Sequence, residues 1–347
     1  MNKDCIRGQN NNPFEYGGPK SLDDLLSQDF PPTEWIVDDL IPEQAIVLLS
    51  AHPASFKTWW ALDLSLKVAA GESFLNHFKT NQTGVLIMDA ESGDRQLQKH
   101  FKILGARNEL PVFYKTCNRK RIDKNFADSI LVVCAMHNIK LVIFDSLTRF
   151  HNANENDARE MSEIFESFTT LKNNGITSLI ICHSRKTNFE SGGYNRRNQA
   201  ESIRGSSDIL AACDLHLIMN RGDDNVVKIC QTKNRFDEEM RPFSVRFVKD
   251  SPICSHWEFK EILDTKEDRF HQAKENIYAY VLNNPGLNQK QLVDAVRRDV
   301  QELKSGKIKK ALDELVAEKR VYVKSGDRTT KLYYILDGQE DGELQNV

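Results

Sequence analysis

Short, continuous apolar runs alternate along this chain with longer segments whose apolar residues recur at helical spacing. The runs lie at residues 45–49, 85–88, 141–144 and 179–182. An uninterrupted apolar run of this length is typical of a strand that is buried on both faces. Strands that alternate with helices over residues 45–183 predict a mostly parallel sheet with helices on both sides, and therefore an α/β fold.

Composition limits the partners and the compartment that we expect. The 347 residues carry a formal net charge of −3, so only local basic patches can attract nucleic acid. The seven cysteines show no metal-like spacing, which indicates free thiols in a reducing compartment. We see no signal peptide and no apolar run of membrane-spanning length, so we expect a cytoplasmic protein that does not contact a membrane.

The first apolar run leads into a short loop, and a helical pattern begins near Lys57. A phosphate-binding loop requires this context, with helix N-terminal N–H groups, a lysine and a hydroxyl that binds Mg²⁺. Lys57 and Thr58 fit the last two positions, but Ala51 and Phe56 replace both glycines of G-x-x-x-x-G-K-[ST]. An ordinary strand-to-helix turn is the alternative. The candidate phosphate-binding residues are Ala51, His52, Pro53, Ala54, Ser55, Phe56, Lys57 and Thr58.

Polar residues follow the later strands where a parallel sheet would bring them together. Asp89 and Glu91 follow the run at 85–88, and a carboxylate there is well placed to orient a water molecule. The alternative is a helix cap at Ser92 with solvated end charges. Asp145 ends the next strand as a Mg²⁺-holding carboxylate would, and His183 ends the strand after it as a γ-phosphate sensor or a capping histidine.

Two further regions are candidates for binding DNA. Residues 184–203 form a long polar loop that contains Arg196 and Arg197, and a solvated loop is the alternative. Residues 266–336 carry 15 Lys and Arg against 10 Asp and Glu, and their pattern of three helices and two strands predicts a winged helix-turn-helix. A protein-binding winged helix is the alternative. The basic cluster that heads the third helix consists of Lys304, Lys307, Lys309 and Lys310.

Over residues 33–250, the order and spacing of these motifs resemble the RecA-like P-loop ATPases of the RepA-type hexameric helicase family (AAA_25-like). The resemblance implies ATP and Mg²⁺ as cofactors and a homo-oligomer, typically a hexameric ring. It implies that Lys57 and Thr58 bind the phosphates and the metal, with Asp145 as the second metal residue. It also implies that loops 149–159 and 184–203 contact DNA.

The same resemblance implies a role for further residues. Glu91 would be the catalytic base and His183 the γ-phosphate sensor. Arg204 matches a characteristic RGSS stretch near the nucleotide. Lys233 and Arg235, within KNRF, match a lysine and an arginine finger that reach the nucleotide of the neighbouring subunit.

We therefore expect an ATP-dependent, ring-forming DNA motor, a replicative helicase of a plasmid or mobile element that binds single-stranded DNA, with double-stranded DNA as a further candidate partner. Two other classes stay open: a RecA-like recombinase or loader that does not unwind DNA, and a non-hydrolysing regulator that binds DNA. The predicted organisation is a flexible arm over residues 1–32 with a short helix around 21–27, an ATPase domain over 33–262, a winged helix over 266–336 and an acidic tail over 337–347.

Overall fold

The computed structural model describes residues 21–117, 122, 124–151, 157–184, 207–263, 266–300, 303–326 and 330–335. The chain divides into two compact units, residues 1–34 and 35–347. In the first unit, helix α1 spans Leu22–Leu26. Ser21 caps it, because its hydroxyl accepts the N–H of Asp24 while the Asp24 carboxylate accepts the N–H of Ser21. The short helix expected here is confirmed.

The second unit is built on a nine-stranded sheet. A small antiparallel pair precedes it, formed by β1 (Trp35–Val37) and β2 (Ile41–Pro42). The nine strands are β3 (Ile46–Ala51), β4 (Gly84–Asp89), β5 (Val112–Thr116), β6 (Ile139–Asp145), β7 (Thr177–His183), β8 (Leu215–Arg221), β9 (Val226–Asn234), β10 (Phe243–Ser251) and β11 (Cys254–Ile262).

The strand order is β11-β10-β9-β8-β3-β7-β6-β4-β5. All pairings from β8 to β5 are parallel, whereas β9, β10 and β11 extend the sheet in antiparallel fashion. The predicted α/β fold class, a RecA-like core with a mostly parallel sheet, is confirmed. The antiparallel hairpin of β10 and β11 was not anticipated.

Helices cover both faces of the sheet. Successive side chains of a strand point to opposite faces, so the strands contribute to two apolar clusters, and helices bury each of them. The helices are α2 (Lys57–Ala70), α3 (Asp94–Ile103), α4 (Lys124–His137), α5 (Leu147–Phe150), α6 (Ala158–Asn173) and α7 (Ser207–Ala212). Along β3, Val47 and Leu49 pack with α2 and α3, whereas Ile46 and Leu48 pack with α4, α6 and α7.

The C-terminal part of this unit has an apolar core of its own. Ile277, Val296 and Leu312, one from each of three helices, are almost fully buried in it. A three-stranded antiparallel sheet, in the order β12-β14-β13, accompanies the helices. This is the predicted order of elements, with one additional strand. The elements are α8 (Lys266–Asn283), β12 (Leu287–Asn288), α9 (Gln289–Asp299), α10 (Ser305–Ala317), β13 (Tyr322–Ser325) and β14 (Lys331–Tyr334).

Candidate nucleotide site

The predicted site residues on β3, β4, β6 and β7 meet at one edge of the sheet. Ala51 pairs with His183 across β3 and β7, and Asp89 pairs with Asp145 across β4 and β6. These are the carboxyl ends of parallel strands, where ligands bind in open α/β sheets. The loop between β3 and α2 therefore lies on the same edge as the carboxylates that follow the other strands.

The loop adopts an unusual backbone although it has no glycine. Ala54 has φ 62° and Phe56 has φ 64°, both in the left-handed region, and Phe56 is the residue immediately before α2. Such a conformation costs a residue with a Cβ atom roughly 1–2 kcal/mol. The turn thus keeps a conformation that glycine would adopt at low cost, with an alanine and a phenylalanine in its place.

Side chains from distant strands surround Phe56. Its ring centroid lies 5.0 Å from that of Phe247 on β10 and 6.1 Å from that of Trp257 on β11. The guanidinium of Arg221, the last residue of β8, lies 4.1 Å from the Phe56 ring centroid. Nη1 of Arg221 also donates to the Ala54 carbonyl oxygen at 3.0 Å. None of these three partners belongs to a motif that is recognisable in the sequence.

Lys57 is buried in the loop, with 7 % of its surface exposed. Its Nζ donates to the carbonyl oxygens of Ala51, at 3.1 Å, and His52, at 3.2 Å. Burial lowers the pKa of Lys57, while the charge of Asp145 opposes that shift. A buried ammonium whose hydrogen bonds go to neutral carbonyl groups is stabilised when an anion enters the loop, because hydrogen bonds to a charged acceptor are stronger.

Thr58 and Asp145 are in direct contact beside the loop. The Thr58 hydroxyl donates to Oδ2 of Asp145 at 2.6 Å, and only 4 % of Asp145 is exposed. Burial raises the pKa of Asp145 to about 6; the Thr58 hydrogen bond opposes that shift, and the charges of Glu91 and Asp89 add to it. A hydroxyl oxygen beside a carboxylate oxygen is the ligand chemistry that Mg²⁺ prefers, so these residues fit the predicted ion.

The two carboxylates after β4 differ in what they contact. Asp89 is buried and accepts the backbone N–H groups of Ser92, at 3.1 Å, and Gly93, at 2.7 Å. It therefore holds the turn that leads into α3. Glu91 lies beyond that turn, and 30 % of its side chain is exposed. Of the two, Glu91 is the carboxylate that is accessible from the site.

Glu91 is held between β6 and β7. The Ser146 hydroxyl donates to Oε1 of Glu91, and Nε2 of His183 lies 3.6 Å from the same oxygen. His183 is the main cause, and the Ser146 hydrogen bond a further one, of a Glu91 pKa lowered to about 2. Nδ1 of His183 is buried and has no hydrogen-bond partner among the described residues. Glu91 is thus an ionised, oriented acceptor.

A buried polar chain lies behind the loop. Nε2 of His216 on β8 is 2.7 Å from the hydroxyl of Ser50 on β3, and its Nδ1 contacts the hydroxyl of Thr232 on β9. His216 is fully buried, and burial lowers its pKa to about 3. The imidazole is therefore neutral and links three adjacent strands through hydrogen bonds.

Lys233 and Arg235 lie at the opposite edge of the sheet. Asn234 pairs with Leu215, and Leu215 pairs with Val47, so this end of β9 lies beside the amino ends of β8 and β3. The Lys233 ammonium donates to three carbonyl groups at the C-terminal end of α7. Arg235 forms an ion pair with Asp214 at 3.3 Å, and 53 % of the Arg235 side chain is exposed. Neither residue is near the loop of its own chain.

The predicted DNA-binding residues divide into two groups. Arg196 and Arg197 lie outside the described residues, and so does Arg204, a predicted nucleotide-site residue. The basic cluster of Lys304, Lys307, Lys309 and Lys310 is exposed at the start of α10. Within this cluster, Lys310 lies 3.6 Å from Glu314 and 5.9 Å from the ring centroid of Phe270.

Metal-holding side-chain clusters and membrane-spanning helices can be assessed for the part of the chain that the structure describes. There, no group of three or more His, Cys, Asp or Glu side chains is placed to hold a metal ion by itself. The predicted Mg²⁺ site does not require one, because phosphate oxygens and water complete the coordination in sites of this kind. None of the helices within the described ranges is both long and apolar enough to cross a membrane.

Comparison with known proteins identifies the family. Residues 13–188, just over half of the chain, match the family AAA_25, described as an AAA domain. The structure is similar to that of the KaiC-like protein PH0186 from the hyperthermophilic archaeon Pyrococcus horikoshii OT3, with TM-score 0.48 and 13 % identity over 65 % of this chain and 94 % of that one. No curated protein matches the sequence. The chain therefore belongs to the AAA domain family AAA_25, a family of P-loop ATPases.

Proposed function

We propose that this protein is an ATP-dependent DNA-binding motor, a RepA-like hexameric replicative helicase of a plasmid or mobile element that hydrolyses ATP at its subunit interfaces. The observation that supports this most strongly is the convergence of five side chains at the carboxyl edge of the sheet. They are Lys57, Thr58, Glu91, Asp145 and His183.

The loop and its two neighbours account for binding. Lys57 exchanges its contacts with the carbonyl groups of Ala51 and His52 for phosphate oxygens, a change from neutral to charged acceptors. Thr58 and Asp145 would hold Mg²⁺, and the ion would supply positive charge that stabilises the bound phosphates. N–H groups at the start of α2 add the positive end of a 14-residue helix.

Glu91 accounts for hydrolysis. A carboxylate with a pKa of about 2 accepts a hydrogen bond from the attacking water but is a weak proton acceptor. Its contribution is therefore to orient the water for in-line attack, as positioning and charge dominate phosphoryl transfer. His183 contacts Glu91 and lies at the end of β7, so it is placed to respond to the γ-phosphate.

Lys233 and Arg235 support a site that is shared between subunits. They lie at the sheet edge opposite the loop, so they can serve only a nucleotide bound by another copy. The Arg235 side chain is half exposed and its partner Asp214 is within the same chain, which leaves a guanidinium that can turn outward. An arginine supplied by a neighbour stabilises charge in the transition state.

DNA binding is proposed for two places. The exposed basic cluster of α10 lies where a winged helix would present its recognition helix to a groove. Arg196 and Arg197 belong to the loop that follows His183, and the proposal for them rests on the sequence alone.

The decisive experiment measures ATPase activity with and without single-stranded DNA, together with strand displacement from a forked duplex. The proposal predicts DNA-stimulated hydrolysis and ATP-dependent displacement. Stimulated hydrolysis without displacement would favour a recombinase or loader. Nucleotide binding without any hydrolysis would favour a regulator.

A further inference from the structure

The phosphate loop of this protein is held by residues that lie far away in the sequence. Ala54 and Phe56 both have positive φ, and neither is a glycine. A loop with Cβ atoms at these positions relaxes to ordinary dihedrals unless its surroundings determine its shape.

One guanidinium contacts both of them. Nη1 of Arg221 donates to the Ala54 carbonyl oxygen at 3.0 Å, and the guanidinium carbon lies 4.1 Å from the ring centroid of Phe56. Nη2 donates to Oδ1 of Asn225 at 2.8 Å, which fixes the plane of the group. A planar group with several donors can stack and donate at the same time, whereas an ammonium cannot reproduce that geometry.

The Phe56 ring also packs against the sheet. Phe247 and Trp257, which lie on β10 and β11, are almost fully buried and pack against the ring. Arg221 ends β8, which pairs directly with β3 at Met219 and Ala51. The ring thus contacts both a buried aromatic pair and a guanidinium from the strand beside the loop.

We propose that Arg221 is a positioning residue of the nucleotide site and that, with Phe56, it holds the loop in the left-handed conformation at Ala54 and at Phe56, the position of the motif's second glycine. The two residues, which we call the Arg221–Phe56 clasp, keep the loop N–H groups directed toward the place of the phosphates. The role of the clasp in binding rests on the proposed function, since it assumes that the loop binds nucleotide. The role of the clasp in the shape of the loop does not depend on the proposed function.

The test is a double-mutant cycle on the affinity for a fluorescent ADP analogue with Mg²⁺. In the native loop, Arg221→Ala weakens binding by about tenfold, and Arg221→Lys weakens it by a similar factor because charge alone does not restore the stack. In a background with Ala54→Gly and Phe56→Gly, Arg221→Ala weakens binding by no more than about twofold, because glycine adopts positive φ without support. Arg107→Ala, which removes an exposed arginine between α3 and β5, is the control for charge and leaves the affinity unchanged.

Two results overturn the proposal. An equal loss from Arg221→Ala in both backgrounds means that Arg221 does not act through the loop conformation. Full rescue by Arg221→Lys means that only its charge matters.

Hydrogen exchange without nucleotide separates the clasp from the function. If the clasp sets the loop shape, exchange at the amides of residues 52 and 54–58 is faster in Arg221→Ala and in Arg221→Lys than in the native protein, with melting curves confirming that both variants fold. Unchanged exchange overturns the clasp. A native protein that binds no nucleotide overturns the proposed function, and faster exchange in the variants would still support the clasp.

Discussion

Asp145→Asn should make the nucleotide-free protein more stable but should impair its Mg²⁺-dependent nucleotide binding. The carboxylate is 4 % exposed, and its pKa is raised from the ordinary 3.8 to about 6, chiefly by burial. Because the folded-state pKa lies above the unfolded value, the ionised carboxylate opposes folding. The penalty is absent below pH 3.8, grows between pH 3.8 and 6, and is complete above pH 6.

The shift from 3.8 to about 6 corresponds to roughly 3 kcal/mol at pH 7.5, at 1.36 kcal/mol for each pKa unit. An asparagine removes the charge and can still accept the Thr58 hydrogen bond. We therefore expect the free energy of unfolding of Asp145→Asn, measured by urea denaturation at pH 7.5 without nucleotide, to exceed that of the native protein by up to about 3 kcal/mol. At pH 5 the difference should fall to about half.

Asp63 provides a matched control on α2. It is also buried, and burial raises its pKa to about 6, but it lies outside the candidate site. Asp63→Asn should gain similar stability with the same pH dependence and keep Mg²⁺-dependent nucleotide binding, whereas Asp145→Asn should lose that binding. A less stable Asp145→Asn at pH 7.5, or a difference that does not change with pH, would refute the reasoning.

Three further predictions concern separate parts of the protein. Glu91→Gln should bind ATP with native affinity and hydrolyse it about 10²-fold more slowly in a steady-state assay, because a neutral amide orients the attacking water less well than a carboxylate, and a native rate would show that another residue positions the water. The free energy of unfolding of the native protein should fall relative to that of His216→Asn by up to about 5 kcal/mol as the pH falls from 6.5 to 3. The reason is that burial lowers the His216 pKa to about 3, so in this pH range the unfolded chain binds a proton that the folded chain does not. Parallel pH profiles of the two proteins would contradict this. Mixing inactive Arg235→Ala with inactive Lys57→Ala should restore part of the ATPase activity at mixed interfaces, and an absence of rescue in assemblies shown to exchange subunits would exclude a finger supplied in trans.

The sheet and the main site residues were predictable because their signals are local. The runs that form β3, β4, β6 and β7 are apolar without interruption, since both of their faces are buried. Once those strands are parallel, their carboxyl ends must lie at one edge, which brings Asp145 and His183 to the loop. The distinction between Asp89 and Glu91 was not predictable, because it depends on which carboxylate receives the backbone N–H groups of the turn.

The contacts that support the loop could not be predicted, because no local sequence pattern indicates them. Arg221 is 165 positions beyond Phe56 and ends an ordinary strand. Phe247 and Trp257 belong to β10 and β11, where apolar and polar residues are mixed because part of the hairpin is exposed. From the sequence alone, Phe56 looked like a defect in the motif. The structure shows that its ring is packed on all these partners.

The central claim is that a phosphate loop without glycine binds nucleotide through Lys57. Calorimetric titration of the native protein with Mg²⁺ and a non-hydrolysable ATP analogue tests it, beside Lys57→Ala and the control Lys67→Ala, which removes a lysine of the same helix that pairs with Glu72. We expect the native protein and Lys67→Ala to bind alike, and Lys57→Ala to bind about 30- to 1,000-fold more weakly, since losing a buried charged contact costs about 2–4 kcal/mol. Native affinity in Lys57→Ala, or no binding by the native protein, would contradict the claim.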